Sequence, residues 1–319
     1  MALPGNTFTQ YDAIGNREDL SDVIYNISPT ETPFSSGIPR TGASNVTHEW
    51  QTDSLAAANT ANAQLEGDDA TGDTLVPTTR LSNQCQILRK VVVVSGTQRA
   101  VNTAGRADEL EYQVAKSGRE LKRDIESILL SEHGRVTGST ATARQLGGIE
   151  AWLSTNKVIN STATTPGGGT AIVDGTAITL TAASLKSRID TVIQQCWTQG
   201  GDPTVIMVPG AGKVVASGMS GIATLYRDVK PNAEGQIIGG ADAYVSNFGN
   251  HTIVPNRFMR TRTTLILDME YWAIAELRPM MTEPLAKTGD NEKRMLLTEI
   301  TLEAKNEAAS GKIGDIAWS

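Results

Sequence analysis

The sequence predicts an α+β fold: one long helix, a set of strands packed with it, and two extensions too polar to form cores of their own. Three observations lead there. Residues 107–131 carry Leu110, Val114, Leu121, Ile125 and Ile128 at helical spacing with no proline. Residues 181–270 alternate helix-like and strand-like runs, and residues 296–304 alternate in the strand period. Between Ala56 and Asp73 the chain is almost empty of large apolar groups, although strand-like runs flank it.

Taken in order, the first forty residues read as an extended arm with one short helix. Asn16 caps a segment with Glu18 and Asp19 in its first turn, and Leu20, Val23, Ile24 and Ile27 follow at helical spacing until Ser28-Pro29 ends it. Such a helix has too little surface to be stable alone, so it docks on something. Phe34, in Thr32-Pro33-Phe34, offers an aromatic anchor and is a candidate contact to another subunit.

Residues 42–95 read as a long hairpin. Val46 to Gln51 is one strand and Leu81 to Val94 the other, with a polar tip between them. Structureless loops above ~12–15 residues are uncommon inside compact domains. A projecting hairpin has little core and needs a neighbouring molecule to lie on. The tip residues Glu66, Asp68, Asp69 and Asp73, with Arg80 on the second strand, are therefore candidate contacts to another subunit.

The helix over 107–131 would be roughly 37 Å long at 1.5 Å per residue. Arg119, Lys122 and Arg123 form a basic patch flanked by Glu120 and Asp124. These side chains either pair along the helix or bridge to a neighbouring subunit.

Beyond the glycine-rich connector at 160–169, Leu185, Ile189, Val192, Ile193 and Cys196 mark a helix stopped by Gly200-Gly201. Val205 to Val208 is a buried strand, a short helix follows Gly212, and Tyr244-Val245, Ile253-Val254 and Leu265 to Leu267 are further strands of a mixed sheet. In the last strand Leu296, Ile300, Leu302 and Ala304 face a core for which the long helix is the natural partner. Glu299, Thr301, Glu303 and Lys305 are expected to face water.

Composition narrows the function. At 319 residues the chain is long enough for about two domains at roughly 150 residues each. The 35 acidic residues outnumber the 28 basic ones, for a formal charge of −7, which argues against gripping nucleic acid but not against enclosing it. Cys85 and Cys196 are too few for a disulfide framework and read as buried thiols in a reducing cytoplasm. No signal peptide is recognisable, and the longest apolar run, Val91 to Val94, is far too short to span a membrane, so the expected product is soluble and intracellular when made.

Chemical motifs are near misses. Pro209-Gly210-Ala211-Gly212-Lys213 follows a strand as a phosphate-binding loop does. However, Met207 stands where the first glycine is needed and Val214 where the magnesium ligand is needed. Gly218-Met219-Ser220-Gly221-Ile222 brings its second glycine one position early for a nucleophile elbow. His48, His133 and His251 lie in separate segments without ligand spacing. We expect no catalytic residue, metal or cofactor.

The order of parts resembles the Hong Kong 97-type capsid fold. Particular segments are similar to the SU-ten-type major capsid family of tailed phages: Asp19-Leu20 through Pro29-Thr30-Glu31-Thr32-Pro33-Phe34, His48-Glu49-Trp50, Tyr244 to Gly249 running into Val254 to Met259, Leu277-Arg278-Pro279, and Leu285 to Asp290. The resemblance spans nearly the whole chain. It implies an N-terminal arm at 1–41, an extended-loop hairpin at 42–95, a peripheral domain from 96–159 and 271–319 with its spine helix at 107–131, and an axial domain at 160–270.

The function so implied is a shell protein that assembles from many copies, in hexamers and pentamers, around double-stranded DNA. The implied partners are a separate scaffolding protein, a portal and a decoration protein, and the implied location is the virion capsid, built in the host cytoplasm. One departure from the founding member of the fold matters: there is no lysine between residues 41 and 89, so self-cross-linking through the hairpin is not expected. The alternatives are an encapsulin-type nanocompartment shell protein and a nucleotide-binding protein using Pro209 to Lys213.

Overall fold

The computed structural model describes residues 31–67, 69, 72, 74–101, 108–219 and 242–318. The arm helix expected over 16–28, tip residues Asp68 and Asp73, and the elbow-like residues 220–222 lie outside them.

The described residues begin with α1 (Pro33–Gly37), β1 (Arg40–Gly42), β2 (Thr47–Thr52), β3 (Thr79–Gln84) and β4 (Gln86–Ser95). Then come α2 (Gly96–Ala100), α3 (Glu109–Leu129), α4 (Ile149–Trp152), β5 (Asn156–Val158), β6 (Ile178–Leu180), α5 (Ala182–Thr198), β7 (Val205–Val208) and α6 (Gly210–Ser217). The last third holds β8 (Ala243–Ser246), β9 (Gly249–Pro255), β10 (Thr264–Leu267), β11 (Trp272–Leu285), β12 (Asn291–Ala304), β13 (Gly311–Ile313) and β14 (Ile316–Trp318).

The long helix is present as α3, two residues shorter than expected at each end. Asp108 sets its start by accepting the Leu110 N–H at 2.8 Å, and Glu109 and Glu111 sit in the first turn, where the helix dipole favours anions. Leu110, Leu121, Ile125 and Leu129 bury its apolar face. That face lies on a four-stranded sheet of order β1-β11-β12-β4. A Cβ on Gly118 would stand 3.6 Å from Leu296, so even-numbered β12 side chains point at the helix.

The expected second hairpin strand is two strands. β3 pairs antiparallel with β2, and the chain then breaks at Cys85 and joins β12 as β4. The odd face of β12 is also drier than expected. Glu299 and Thr301 are buried, because the hairpin base and residues 144–147 cover them. The Trp50 indole donates to the Ala304 carbonyl at 2.8 Å, His48 contacts Glu303 at 3.2 Å, and the Asn83 amide donates to the Leu302 carbonyl at 2.7 Å. Arg144 and Arg278 both pair with the Glu299 carboxylate. The polar-looking half of this strand is a built contact, so the hairpin base and α3 occupy opposite faces of one sheet.

The second sheet is six-stranded and mixed, in the order β5-β13-β10-β7-β9-β8. Two of its strands, β5 and β13, come from outside residues 160–270. Ile206, Val208, Ile253, Ile266 and Ile313 face α5 in one core, while Met207, Leu265 and Leu267 face the other core, which contains α3. Burial on both faces accounts for the unbroken apolar run of β7.

Candidate assembly surfaces

In the hairpin tip, between Thr52 and Thr79, every described residue is exposed. Leu55 is 99% exposed, Leu65 80%, Leu75 90% and Val76 78%. Burying one such side chain is worth about 1.5–3 kcal/mol, so four left in water are a large unspent contribution. Glu66 and Asp69 are exposed here too, and no Lys or Arg occurs from Ala43 to Thr79. Arg80, at the base, pairs with Glu49 across the hairpin at 3.6 Å.

A second bare surface lies on the sheet face that carries the hairpin base. Ile87, Val91 and Val93 project from β4 and stay 46%, 46% and 53% exposed. Met295 and Lys293 stand opposite Val91 and Val93 on β12, and exposed Arg89 lies between Ile87 and Val91. The result is an apolar stripe with cations among it. The only signal in the sequence was the Val91 to Val94 run, whose alternate members turn out to face water.

The spine-helix patch is less coherent than its spacing suggests. Asp124 bridges to Lys90 on β4 at 2.7 Å, and the Arg123 guanidinium lies 5.6 Å from the centre of the Phe258 ring. Among the described residues Arg119 and Lys122 are exposed without an ion-pair partner, and Glu120 is half-buried. No intrahelical pair of the expected kind links these residues.

Phe34 must be corrected as a contact to a neighbour, because it is fully buried in its own chain. The cause is Glu126, whose carboxylate is also fully buried. It accepts the Phe34 N–H and the Ser35 N–H, both at 2.8 Å, and the Asn256 side-chain amide at 2.7 Å. A carboxylate saturated by donors can be buried where a bare one cannot. Sequence reasoning missed this residue, yet it falls three positions before Leu129 and four before Leu130, inside the apolar stripe of α3. A lone acid at that phase is the signal that could have found it.

Where the two cores meet, charged groups from five segments converge. Arg260 contacts Glu150 at 2.9 Å and Glu132 at 3.4 Å and pairs with Asp174. Arg262 lies 3.6 Å from both Asp174 and Asp315. Buried Lys312 donates to the Glu150 backbone carbonyl at 2.6 Å. Burial pushes the Glu150 carboxyl up to about 7 against the pull of Arg260, and burial pulls the Lys312 ammonium down.

A carboxyl raised in the folded state contributes stability that is full below its ordinary pKa and is lost as pH rises toward 7. The melting-temperature difference between wild type and Glu150→Gln should therefore shift in favour of the wild type between pH 8 and pH 5. A difference that does not change with pH contradicts this.

The phosphate-loop look-alike does not open onto a site. Lys213 donates to Asp242 and to the Ile253 carbonyl, both at 2.9 Å, and a Cβ on Gly212 would meet Trp318 at 2.9 Å. Among the described residues no cluster of His, Cys, Asp and Glu could hold a metal ion, and no helix is long and apolar enough to cross a membrane.

Comparison with known proteins agrees across the chain. The family model for the SU10 major capsid protein matches residues 4–317. The chain is 31% identical to the major capsid protein of Escherichia phage Phieco32, over 98% of this chain and 97% of that one. Its fold is similar to that of the cyanophage A-1(L) capsid (TM-score 0.68, 15% identity, 94% of this chain and 97% of that chain). It is also similar to the capsid of cyanophage P-SCSP1u (TM-score 0.63, 11% identity, 99% and 97%).

Proposed function

The chain belongs to the SU10 major capsid protein family and is a major capsid protein of a tailed phage, and from that premise we propose how its parts build the shell. Many copies gather as hexamers and pentamers and enclose double-stranded DNA without reading its sequence. The four-stranded sheet with α3 serves as the peripheral domain and the six-stranded sheet with α5 and α6 as the axial domain. β5, β13 and β14 go with the latter because their side chains and pairings do. The hairpin is the extended loop.

One observation carries this division: the chain has two bare surfaces of matching chemistry. The tip is acidic with exposed Leu55, Leu65, Leu75 and Val76, while the outer sheet face presents Ile87, Val91 and Val93 among Arg89 and Lys293. Laying the tip of one copy on the sheet of the next buries both and sets acids beside bases. Such a contact joins different surfaces, so it propagates until the rotation closes. The basic residues Arg119 and Lys122, on the opposite face, remain for other neighbours.

Glu126 holds the backbone at Phe34 and Ser35 to α3. With no lysine between residues 41 and 89 the shell holds by packing rather than by cross-links through the hairpin. Assembly in the host cytoplasm then uses a separate scaffolding protein and a portal, with a decoration protein on the outer surface. The nucleotide-binding alternative loses its site to the Lys213 contacts. The nanocompartment alternative differs only in its contents, protein cargo in place of DNA. Negative-stain microscopy with light scattering on the purified chain tests the reading. Rings or closed shells are the expected result, and a monomer at every concentration, even with the scaffolding protein co-expressed, would refute it.

A further inference from the structure

We propose that residues 135–147 form a saddle for the root of the hairpin and fix the direction in which it leaves the subunit, with Asn83 and Arg135 as the positioning residues. The consequence for the shell rests on the assembly reading above.

The hairpin has two roots, β1 and β4, which are the opposite edges of the four-stranded sheet. At the first root the Ala43 N–H donates to the Glu276 carbonyl at 2.9 Å, and Ser44 and Asn45 then run exposed. The second root is held far more closely. Arg135 donates to the Ser82 carbonyl and, at 2.7 Å, to the Ser82 hydroxyl. The Gly147 N–H donates to Asn83 Oδ1 at 2.8 Å, and Asn83 Nδ2 donates back to the Gly147 carbonyl at 3.2 Å. Arg144 Nε donates to the Cys85 carbonyl and the Leu146 N–H to Gln86 Oε1, both at 3.2 Å. Ser82, Asn83, Cys85 and Gln86 are thus all bonded to one short segment.

Asn83 is the centre of this arrangement. It is fully buried, its Nδ2 also donates to the Leu302 carbonyl on β12 at 2.7 Å, and its Oδ1 also accepts the Gln84 N–H at 2.9 Å. An amide has two donor hydrogens and two acceptor lone pairs, and all four are used here. One side chain therefore ties the saddle, β12 and the passage from β3 into β4.

The saddle itself is braced. Val136 and Gln145 exchange backbone bonds at 2.9 and 3.0 Å, and the Arg135 N–H donates to the Gly169 carbonyl at 2.7 Å. A Cβ on Gly147 would stand 3.2 Å from Gly169 Cα, and one on Gly148 would collide with the Ser131 carbonyl just past α3. Packing this close leaves the segment little room to shift.

Direction matters because little further out constrains it. His48 and Trp50 rest β2 on the end of β12, and the bonds to Ser82, Asn83 and Cys85 stop the hairpin tilting about that line. Beyond Thr52 every described tip residue is exposed. The six-residue β2 is roughly 20 Å long, so a tilt of about 20° would move its far end by about 7 Å, more than the spacing between neighbouring strands. A tip displaced that far would miss its place on the next copy.

The test attaches nitroxides to Asp53→Cys, at the end of β2, and Lys116→Cys, on α3, both exposed positions. The native Cys85 and Cys196 are buried and stay unlabelled. The distance distribution between the labels is measured in the unassembled chain by pulsed electron paramagnetic resonance. Asn83→Ala should widen it about twofold. Because that variant also strands buried groups of Gly147, Arg135→Met serves as the second: its site is exposed, so the melting temperature should stay near wild type while the distribution still widens. Ser44→Gly, at the other root, should leave the width unchanged. In assembly, Arg135→Met should give fewer closed particles with a broader range of sizes. Unchanged widths in both saddle variants, or equal widening by Ser44→Gly, overturn the inference and leave the assembly reading intact. Widened distributions with uniform, normal particles overturn its consequence for the shell. A wild-type chain that never associates sinks the assembly reading instead, and the label distances still decide the saddle.

Discussion

A chain lacking residues 57–73 should fold, stay soluble and fail to make stable shells. The deletion removes Glu66, Asp68, Asp69 and Asp73 together with Leu65, and it shortens the reach of the hairpin by most of its tip. Every described tip residue is exposed, so the two cores lose nothing. The β2–β3 pairing from Thr47–Gln84 to Thr52–Thr79 is untouched, and a shorter loop is slightly cheaper to close. The melting temperature of the subunit should stay close to that of the full chain, while microscopy shows no closed particles. Normal particles from this variant would remove the hairpin from the assembly account.

The second large effect concerns Glu126. Glu126→Ala strands the Phe34 and Ser35 N–H groups and the Asn256 amide in a site from which water is excluded. At about 1–3 kcal/mol for each unsatisfied donor, the loss should reach at least about 3 kcal/mol. The chemical-denaturation midpoint measures it. Glu126→Gln should fall between, since its single carbonyl oxygen can accept from only part of the set. The loss also frees α1 from α3, so a subunit that still folds should expose the bonds near Phe34 to protease. A midpoint within about 1 kcal/mol of wild type would mean that the clamp is not formed.

The elements whose residues answer to one strong local pattern were legible in the sequence. α3 has an uninterrupted apolar stripe, α5 has its Gly200-Gly201 stop, and β7 is an unbroken apolar run. What the sequence concealed depends on pairings between distant residues. The change of partner at Cys85 splits the strand expected over Leu81 to Val94 into two strands in different sheets, and nothing local marks it. Glu299 and Thr301 read as solvent-facing because their period is polar, yet both are buried, and Arg144 and Arg278 reach the Glu299 carboxylate from remote segments. Phe34 looked like a free anchor for the same reason: its burial is decided by Glu126, 92 positions away.

The candidate surfaces divide in the same way. The acidic tip stood out because a long stretch without bases is visible in a string of letters. In the basic helix patch Asp124 and Arg123 turn to partners of their own chain, Lys90 on β4 and the Phe258 ring. The outer sheet stripe and the charged junction around Arg260 arise only when strands are placed side by side.

The most direct test of the shell account is a cryo-electron microscopy reconstruction of particles assembled from this chain. The account predicts that each hairpin tip lies across the outer sheet face of an adjacent copy, with Leu75 and Val76 against Val91 and Val93, and Glu66 and Asp69 near Arg89 and Lys293. Tips folded onto their own subunit, or left in solvent above bare sheets, would contradict it.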